Sequence, residues 1–149
     1  MQQAPGFTLT DSTGASVSLN DLLGSKVVVF FYPAAMTPGC TGEACDFPDD
    51  YSVFTDAGYR IVAISPDRPE RNQAFRETND LPFPLLSDPN HVVAEAFGAW
   101  GTKKNYGREY EGLIRSTFVI DADGTLLHEL RNVRAKGHVG RLKALLGLD

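Results

Sequence analysis

Cysteine is scarce in this chain: the 149 residues contain only two, Cys40 and Cys45. Small secreted proteins that depend on disulfide bonds for their stability carry many more. In a reducing compartment a close pair of cysteines is more often catalytic than structural, and a single structural disulfide is the alternative. The cysteine content therefore excludes a disulfide-rich scaffold and indicates thiol chemistry.

Long apolar runs are missing as well. The most apolar segment covers residues 27–31 and is far shorter than the roughly 20 residues of a membrane-spanning helix. Residues 1–6 have neither the basic region nor the apolar region of a secretory signal. We therefore expect a soluble, cytoplasmic protein that does not bind membranes.

Charge of one sign is not concentrated anywhere. The 19 acidic and 14 basic residues are spread along the chain and give a formal net charge of −5. This distribution lacks the basic patch of a nucleic-acid-binding protein and the polybasic anchor of a membrane-associated one. We therefore predict no nucleic acid partner.

The spacing of a metal site is absent too. The two cysteines and the three histidines do not follow the pattern of zinc ligands, so we predict no metal and no cofactor. From its sequence context, His91 is expected at a helix start. His128 is expected on a strand, and His138 at the surface.

No linker, internal repeat or low-complexity segment divides the chain, so we predict one domain over residues 1–149. Apolar, β-rich runs alternate with amphipathic runs, and the hydrophobic content of 42% is sufficient for a core. This pattern predicts an α/β fold in which helices flank both faces of a mixed central β-sheet. Residues 7–9 and 15–18 are predicted to form an N-terminal β-hairpin, followed by a short helical turn capped by Asn20.

The remaining elements follow from runs and their end signals. The β-branched and aromatic run at 27–32 predicts a central strand buried on both faces, and Gly58 is expected to end the helix after the cysteines. Strands are predicted at 60–65, 84–86, 113–120 and 126–131. Helices are predicted from the cap Asp67 to about Glu77, from Asp88-Pro89 to Gly98, and at 139–146 with Val139, Leu142, Leu145 and Leu146 on one face.

The segment after the central strand carries the chemistry. The strand is predicted to lead through a loop with proline and glycine into a helix that begins at Cys40. The first N–H groups of a helix are unpaired and lie at the positive end of its dipole, so they stabilise a thiolate over a thiol. This arrangement predicts redox chemistry at Cys40.

The same segment resembles the active-site motif of the peroxiredoxins, and more narrowly of their bacterioferritin-comigratory-protein or Q type. Pro33, Thr37 and Cys40 match the family pattern Pro-x-x-x-Thr-x-x-Cys. Glu43 matches the acidic residue three positions after the cysteine, and Arg115 matches the family arginine. The resemblance covers nearly the whole chain and implies a thioredoxin-like fold.

This resemblance implies a thiol peroxidase that reduces hydrogen peroxide and organic hydroperoxides. It implies that Cys40 is the peroxidatic cysteine and Cys45 the resolving cysteine, joined in an intramolecular disulfide. Thioredoxin or a similar dithiol reductant would recycle the pair. Relatives of this type are often monomers, so the resemblance also implies a monomer.

Attack of a thiolate on a peroxide oxygen requires donors along the O–O bond and a cation near the developing charge. Thr37, the backbone N–H near Gly39 and Arg115 are expected to supply them. Pro33 is expected to shape and shield the loop, and Glu43 to orient Arg115 through a bidentate pair. Taken alone, Arg115 is equally well explained as a surface arginine, and Glu43 as a solvated acid at a helix start.

The spacing of the two cysteines constrains the disulfide. In an intact helix, residues i and i+5 have Cα atoms roughly 8 to 9 Å apart, whereas a disulfide requires less than about 7 Å. The helix must therefore unwind locally before Cys45 can react with Cys40.

Two other functions use the same residue types. A thioredoxin-like thiol–disulfide oxidoreductase usually carries a C-x-x-C motif, and the sequence has no such pair. A peroxide-responsive redox sensor would form the same disulfide, so it remains an alternative to the enzyme.

Overall fold

The computed structural model describes residues 3–32, 51–79, 81–105, 107–133 and 137–148. Its strands are β1 (Thr8–Asp11), β2 (Ser16–Ser18), β3 (Lys26–Phe31), β4 (Tyr59–Ser65), β5 (Leu85–Ser87), β6 (Trp100–Asn105), β7 (Arg108–Leu113), β8 (Ser116–Ile120) and β9 (Leu126–Leu130). Its helices are α1 (Leu19–Leu22), α2 (residues 51–56), α3 (Pro69–Asn79), α4 (Val92–Phe97) and α5 (His138–Leu146).

Seven strands form one mixed sheet in the order β2-β1-β5-β4-β3-β8-β9. The neighbours β3 and β4 pair in parallel, as do β4 and β5, whereas the other neighbouring pairs are antiparallel. The parallel strands require crossovers, which residues 51–56 and α3 provide in part. The predicted mixed sheet and N-terminal hairpin are confirmed.

Strand β3 is central, as the apolar run predicted. It pairs with β4 along one edge and with β8 along the other, and residues 27–31 are at most 1% exposed. Because side chains alternate along a strand, Val28 and Phe30 enter one core cluster while Val29 and Phe31 enter the other. The strand is therefore buried on both faces.

Helices cover both faces of the sheet. On one face, Phe54 of α2, Phe75 of α3 and Leu142 of α5 pack against β3 and β4. On the other face, Leu19 of α1 and Phe97 of α4 pack against β3 and β8. None of the helices that the structure describes is both long and apolar enough to cross a bilayer.

The starts of three helices differ from the predictions. Helix α1 is capped by Ser18 rather than Asn20, since the Ser18 hydroxyl accepts from the Asp21 N–H and the Asp21 carboxylate accepts from the Ser18 N–H. This reciprocal pair is a capping box, whose two members must stand three residues apart. Asn20 has no acidic residue at that spacing, which is why Ser18 takes the position.

Helices α3 and α4 begin later than predicted. Helix α3 starts at Pro69, so Asp67 lies outside the cap position, and its carboxylate instead contacts the Arg71 guanidinium at 3.2 Å. Helix α4 starts at Val92 rather than at Asp88-Pro89. The Asp88 carboxylate still accepts hydrogen bonds from the first N–H groups of α4, from Val93 at 3.3 Å and Ala94 at 2.9 Å.

The hairpin of β6 and β7 forms a separate two-stranded sheet that was not predicted. Its strands contain glycine at the paired positions 101 and 112 and few apolar residues, so they lack the alternation that marks a half-buried strand. Part of the predicted strand 113–120 belongs to this hairpin, because Leu113 ends β7 and β8 begins at Ser116.

The face predicted for the last helix is wrong at one position. Val139 and Leu142 of α5 are buried, and Leu146 packs against the core, but Leu145 is 45% exposed. At 100° per residue, Leu145 lies about 120° away from Val139, whereas Leu146 lies only about 20° away. Helix α5 therefore buries a narrower stripe than predicted.

The ends of α4 and α5 allow a matched test of one close contact. Gly98 and Gly147 both cap a helix in the left-handed region, with φ of 74° and 71°. A Cβ at Gly98 would lie 3.0 Å from Nε of Arg131, whereas nothing lies within 4 Å of one at Gly147. Arg131 itself donates to the carbonyls of Phe97 and Gly98.

We expect Gly147→Ala to cost about 1 kcal/mol of unfolding free energy, from the left-handed backbone alone. Gly98→Ala should cost about 1 to 2 kcal/mol more, because Arg131 must give up its hydrogen bonds to the end of α4. Urea denaturation of both variants measures the difference. Equal losses would contradict a role for the Arg131 contact.

Candidate active site

Most of the residues predicted to form the active site lie outside the described residues. These are Pro33, Thr37, Gly39, Cys40, Glu43 and Cys45. Arg115 is described, and so are the elements from which the segment 33–50 departs and to which it returns. The described residues therefore form the frame around that segment.

The segment 33–50 begins at the carboxyl end of the central strand. Tyr32 follows the last residue of β3, and its N–H donates to the carbonyl of Ile64 on β4 at 3.0 Å. The Tyr32 side chain is only 2% exposed. Pro33 is joined to Tyr32 by one peptide bond, so the beginning of the segment is attached to the most buried part of the sheet.

Arg115 lies at this same end of β3. In the antiparallel pairing of β3 with β8, Ser116 is opposite Phe31, which places the preceding residue, Arg115, beside the point where the chain leaves β3. The Arg115 carbonyl accepts a hydrogen bond from the Val133 N–H at 3.0 Å. The register thus brings a permanent cation to the edge at which the cysteine-bearing segment starts.

A cationic cleft of about 630 Å³ opens beside Arg115. Among the described residues, it is lined by Thr102, Lys103, Ile114, Arg115, Arg131, Asn132 and Val133. The Lys103 ammonium donates to the carbonyl of Leu113 at 2.9 Å, and the Arg131 guanidinium pairs with Glu129 at 2.9 Å. Apart from Arg115, this cleft was not predicted, since most of its other lining residues come from the unpredicted hairpin and from the chain around the end of β9.

A buried polar network lies under the ends of the three parallel strands. The Tyr32 hydroxyl donates to Oδ1 of Asn72 at 2.5 Å, and the Ser65 hydroxyl is 3.3 Å from the same oxygen. The Asn72 amide donates to the Ser87 hydroxyl at 3.2 Å. All four side chains are at most 4% exposed, so Asn72 of α3 ties β3, β4 and β5 together.

Sequence reasoning missed this network. One available signal was that the second and third parallel strands each end in a serine, Ser65 and Ser87, after an apolar run. A second signal was Asn72, because a buried asparagine inside a helix requires partners for both its donor and its acceptor.

The three histidines lie in different elements of the fold. His91 immediately precedes α4 and His128 lies on β9, as predicted. His138 is not at the surface: it is 1% exposed, and its Nε2 lies 2.7 Å from the Thr117 hydroxyl on β8. The prediction for His138 was wrong because the first turn of α5 packs against the sheet, a contact that the local sequence does not reveal.

Burial, together with the positive charges of Arg141 and Arg115, lowers the pKa of His138 to about 4. At neutral pH the imidazole is therefore uncharged. The imidazole forms one hydrogen bond with the Thr117 hydroxyl and adds no charge near Arg115. Within the part of the chain that the structure describes, no three His, Cys, Asp or Glu side chains are grouped so that they could hold a metal ion.

Comparison with known proteins identifies the family. The sequence profile described as AhpC/TSA family matches residues 1–129. The chain belongs to this family. Peroxiredoxin Bcp of Bacillus subtilis is 48% identical over 138 residues, which are 93% of this chain and 88% of the relative. Peroxiredoxin Bcp of Escherichia coli is 44% identical over 135 residues, covering 91% and 86%.

Solved structures of peroxiredoxins share the fold. The bacterioferritin comigratory protein of Xanthomonas campestris superposes with a TM-score of 0.89 at 32% identity, covering 95% of this chain and 90% of that one. BcpB of Mycobacterium tuberculosis superposes with a TM-score of 0.85 at 37% identity, covering 98% and 94%. The thioredoxin-like fold is confirmed, and the protein is a thiol peroxidase that acts on peroxides and takes electrons from thioredoxin-type reductants.

The buried His138 makes the stability of this peroxiredoxin depend on pH. An unfolded histidine has a pKa near 6.5, whereas folded His138 has a pKa of about 4. As the pH falls from 6.5 to 4, the unfolded chain therefore binds a proton that the folded protein does not. Stability from this group is complete above pH 6.5 and decreases by about 3 kcal/mol on reaching pH 4.

Urea denaturation of the wild type and His138→Gln between pH 7 and pH 4 measures this contribution. Glutamine keeps a neutral hydrogen-bonding group but does not titrate, so the free energy of unfolding of the variant should depend less steeply on pH in this window. Identical slopes for the two proteins would show that His138 titrates normally in the folded state.

Proposed function

We propose that Cys40 is the peroxidatic cysteine of this thiol peroxidase and that Cys45 resolves it. The Cys40 thiolate attacks one oxygen of the hydroperoxide, so an S–O bond forms while the O–O bond breaks and an alcohol or water leaves. The Cys45 thiol then attacks the sulfenic sulfur, and a disulfide forms with release of water. A dithiol reductant such as thioredoxin returns both sulfurs to thiols.

The register between β3 and β8 is the observation that carries this proposal. It places Arg115 beside the end of the strand from which the cysteine-bearing segment departs. Compared with a thiol of ordinary pKa near 8.5, complete ionisation raises the thiolate fraction at pH 7 only about 30-fold. This gain corresponds to roughly 2 kcal/mol of the activation free energy. The rest of the acceleration requires stabilisation of the breaking O–O bond, for which a guanidinium offers both charge and donors.

The other predicted site residues take the roles that the chemistry needs. Thr37 and the backbone near Gly39 donate to the peroxide, while Pro33 shapes the loop directly after the buried Tyr32. Glu43 orients the Arg115 guanidinium through a bidentate pair. The family motif supports these roles, and the location of Arg115 at the end of β3 is consistent with them.

Organic hydroperoxides are proposed as substrates alongside hydrogen peroxide. The cleft of about 630 Å³ beside Arg115 offers room for the organic group of an alkyl hydroperoxide. The structure of the X. campestris relative is described in terms of its alkyl peroxide reduction activity. Both observations support a substrate range that extends beyond hydrogen peroxide.

We also propose that the protein is a monomer of one domain, acting in the cytoplasm. Among the described large apolar side chains, only Val92 and Leu145 are exposed, and isolated exposed residues do not make an interface. A cysteine pair that a dithiol must reduce in every cycle suits a reducing compartment.

Substitution of each cysteine separates the two proposed roles. Cys40→Ser should abolish peroxide turnover, because the attacking sulfur is gone. Cys45→Ser should still undergo one fast oxidation per molecule but lose recycling by thioredoxin, since no intramolecular disulfide can form. A thioredoxin-coupled assay and single-turnover stopped-flow experiments measure the two steps. Appreciable thioredoxin-dependent turnover by Cys40→Ser would mean that the roles are assigned wrongly.

Arg115→Lys tests whether the guanidinium acts on the peroxide step rather than on the thiolate alone. Lysine keeps the positive charge but not the planar set of donors, so the pKa of Cys40 should change little. The rate of Cys40 oxidation should fall about 10- to 100-fold. Thiolate absorbance and stopped-flow rates measure the two quantities.

Arg60→Lys is the matched control, because Arg60 is exposed near the opposite end of β4. It should leave both the thiolate absorbance and the oxidation rate unchanged. Proportional losses of thiolate and rate in Arg115→Lys would show that the arginine acts only through ionisation of the cysteine.

A further inference from the structure

Several hydrogen bonds among the described residues hold the chain around Arg115, and three of them differ in kind. The Arg115 carbonyl accepts from the Val133 N–H at 3.0 Å, and the Ser116 hydroxyl donates to the Ile114 carbonyl at 2.8 Å. The third contact joins the Thr117 hydroxyl to Nε2 of His138 at 2.7 Å. The Val133 contact uses only backbone groups, and the Ser116 contact is local. Of these three contacts, only the one between Thr117 and His138 depends on a side chain from a distant helix.

We propose that His138 is a positioning residue for the peroxide step, holding Thr117 and thereby the Arg115 segment at the end of β3. The proposal rests on the function assigned to Arg115 above. Thr117 is two residues from Arg115 and is fully buried. Loss of its partner would leave a buried hydroxyl unpaired, which favours a rearrangement of the chain next to the arginine. His138 does not touch the peroxide and acts through Arg115.

The environment of His138 explains why a histidine suits this position. The charged groups that act on it from the described elements are Arg141 on its own helix and Arg115 before β8. A lysine or arginine at position 138 would repel both guanidinium groups, whereas a carboxylate would attract Arg115 away from the peroxide. A neutral imidazole forms the hydrogen bond to Thr117 without either effect.

The location of His138 makes the contact rigid. His138 is the first residue of α5, and Val139 and Leu142 of the same helix are buried against the sheet. Thr117 is paired with Phe30 on β3 and with Leu130 on β9. The hydrogen bond therefore connects α5 to the strand β8, whose beginning leads directly to Arg115.

Four variants test the proposal through the second-order rate of Cys40 oxidation by hydrogen peroxide. His138→Leu and Thr117→Val each remove one side of the hydrogen bond and should lower this rate about 10-fold, since a small displacement of a catalytic group is costly. His138→Gln should restore it to within about twofold. Leu142→Ala, a matched loss of a buried side chain on α5, should lower stability but leave the rate unchanged.

The rate of disulfide formation between Cys40 and Cys45 provides a second readout. It should stay the same in all four variants, because Arg115 assists the cleavage of the O–O bond and not the attack of Cys45. If His138→Leu does not fold, Thr117→Val and His138→Gln measure the same contact.

Combination with Arg115→Lys shows whether His138 acts through the arginine. In that background, His138→Leu should cause no further loss, because groups that act as a unit are not additive. A further tenfold loss, an equal loss in Leu142→Ala, or an unchanged rate in His138→Leu would each overturn the proposal. A wild-type protein whose Cys40 did not react with peroxide would instead overturn the proposed function.

Discussion

The double pairing of β3 is the constraint on which the rest of this structure depends. One edge of the strand is hydrogen-bonded to β4 and the other to β8, and its side chains fill both core clusters. A slip of one residue against β8 would reverse the faces of every side chain and move Arg115 about 3.3 Å along the strand. The packing that holds the core together therefore also fixes the distance between Arg115 and the start of the cysteine-bearing segment.

Neutral polar contacts stabilise the frame around the site. Asn72 connects the ends of β3, β4 and β5, and His138 connects α5 to β8. Because these groups are buried and carry no charge, they fix positions without adding a charge to the frame around Arg115.

The predictions that were confirmed depended on strong local signals. The apolar run of β3, the glycine that follows α4 and the turn between β8 and β9 each determine local structure through sterics or burial of neighbouring residues. The predictions that were wrong concerned competition between nearby groups or contacts with distant ones. Ser18 replaced Asn20 as a cap because Asp21 stands at the right spacing, and the β6–β7 hairpin has no apolar alternation by which it could be recognised.

The sequence by itself indicated the family, because the motif around Cys40, the second thiol at Cys45 and the arginine at 115 are local patterns, and the comparison shows that the chain belongs to that family. Only the tertiary structure decided which distant residues meet. The register of β3 against β8 brings Arg115 to the end of β3, and the packing of α5 on the sheet buries His138 against Thr117. Such contacts arise from the pairing and packing of whole elements, so no short stretch of sequence contains them.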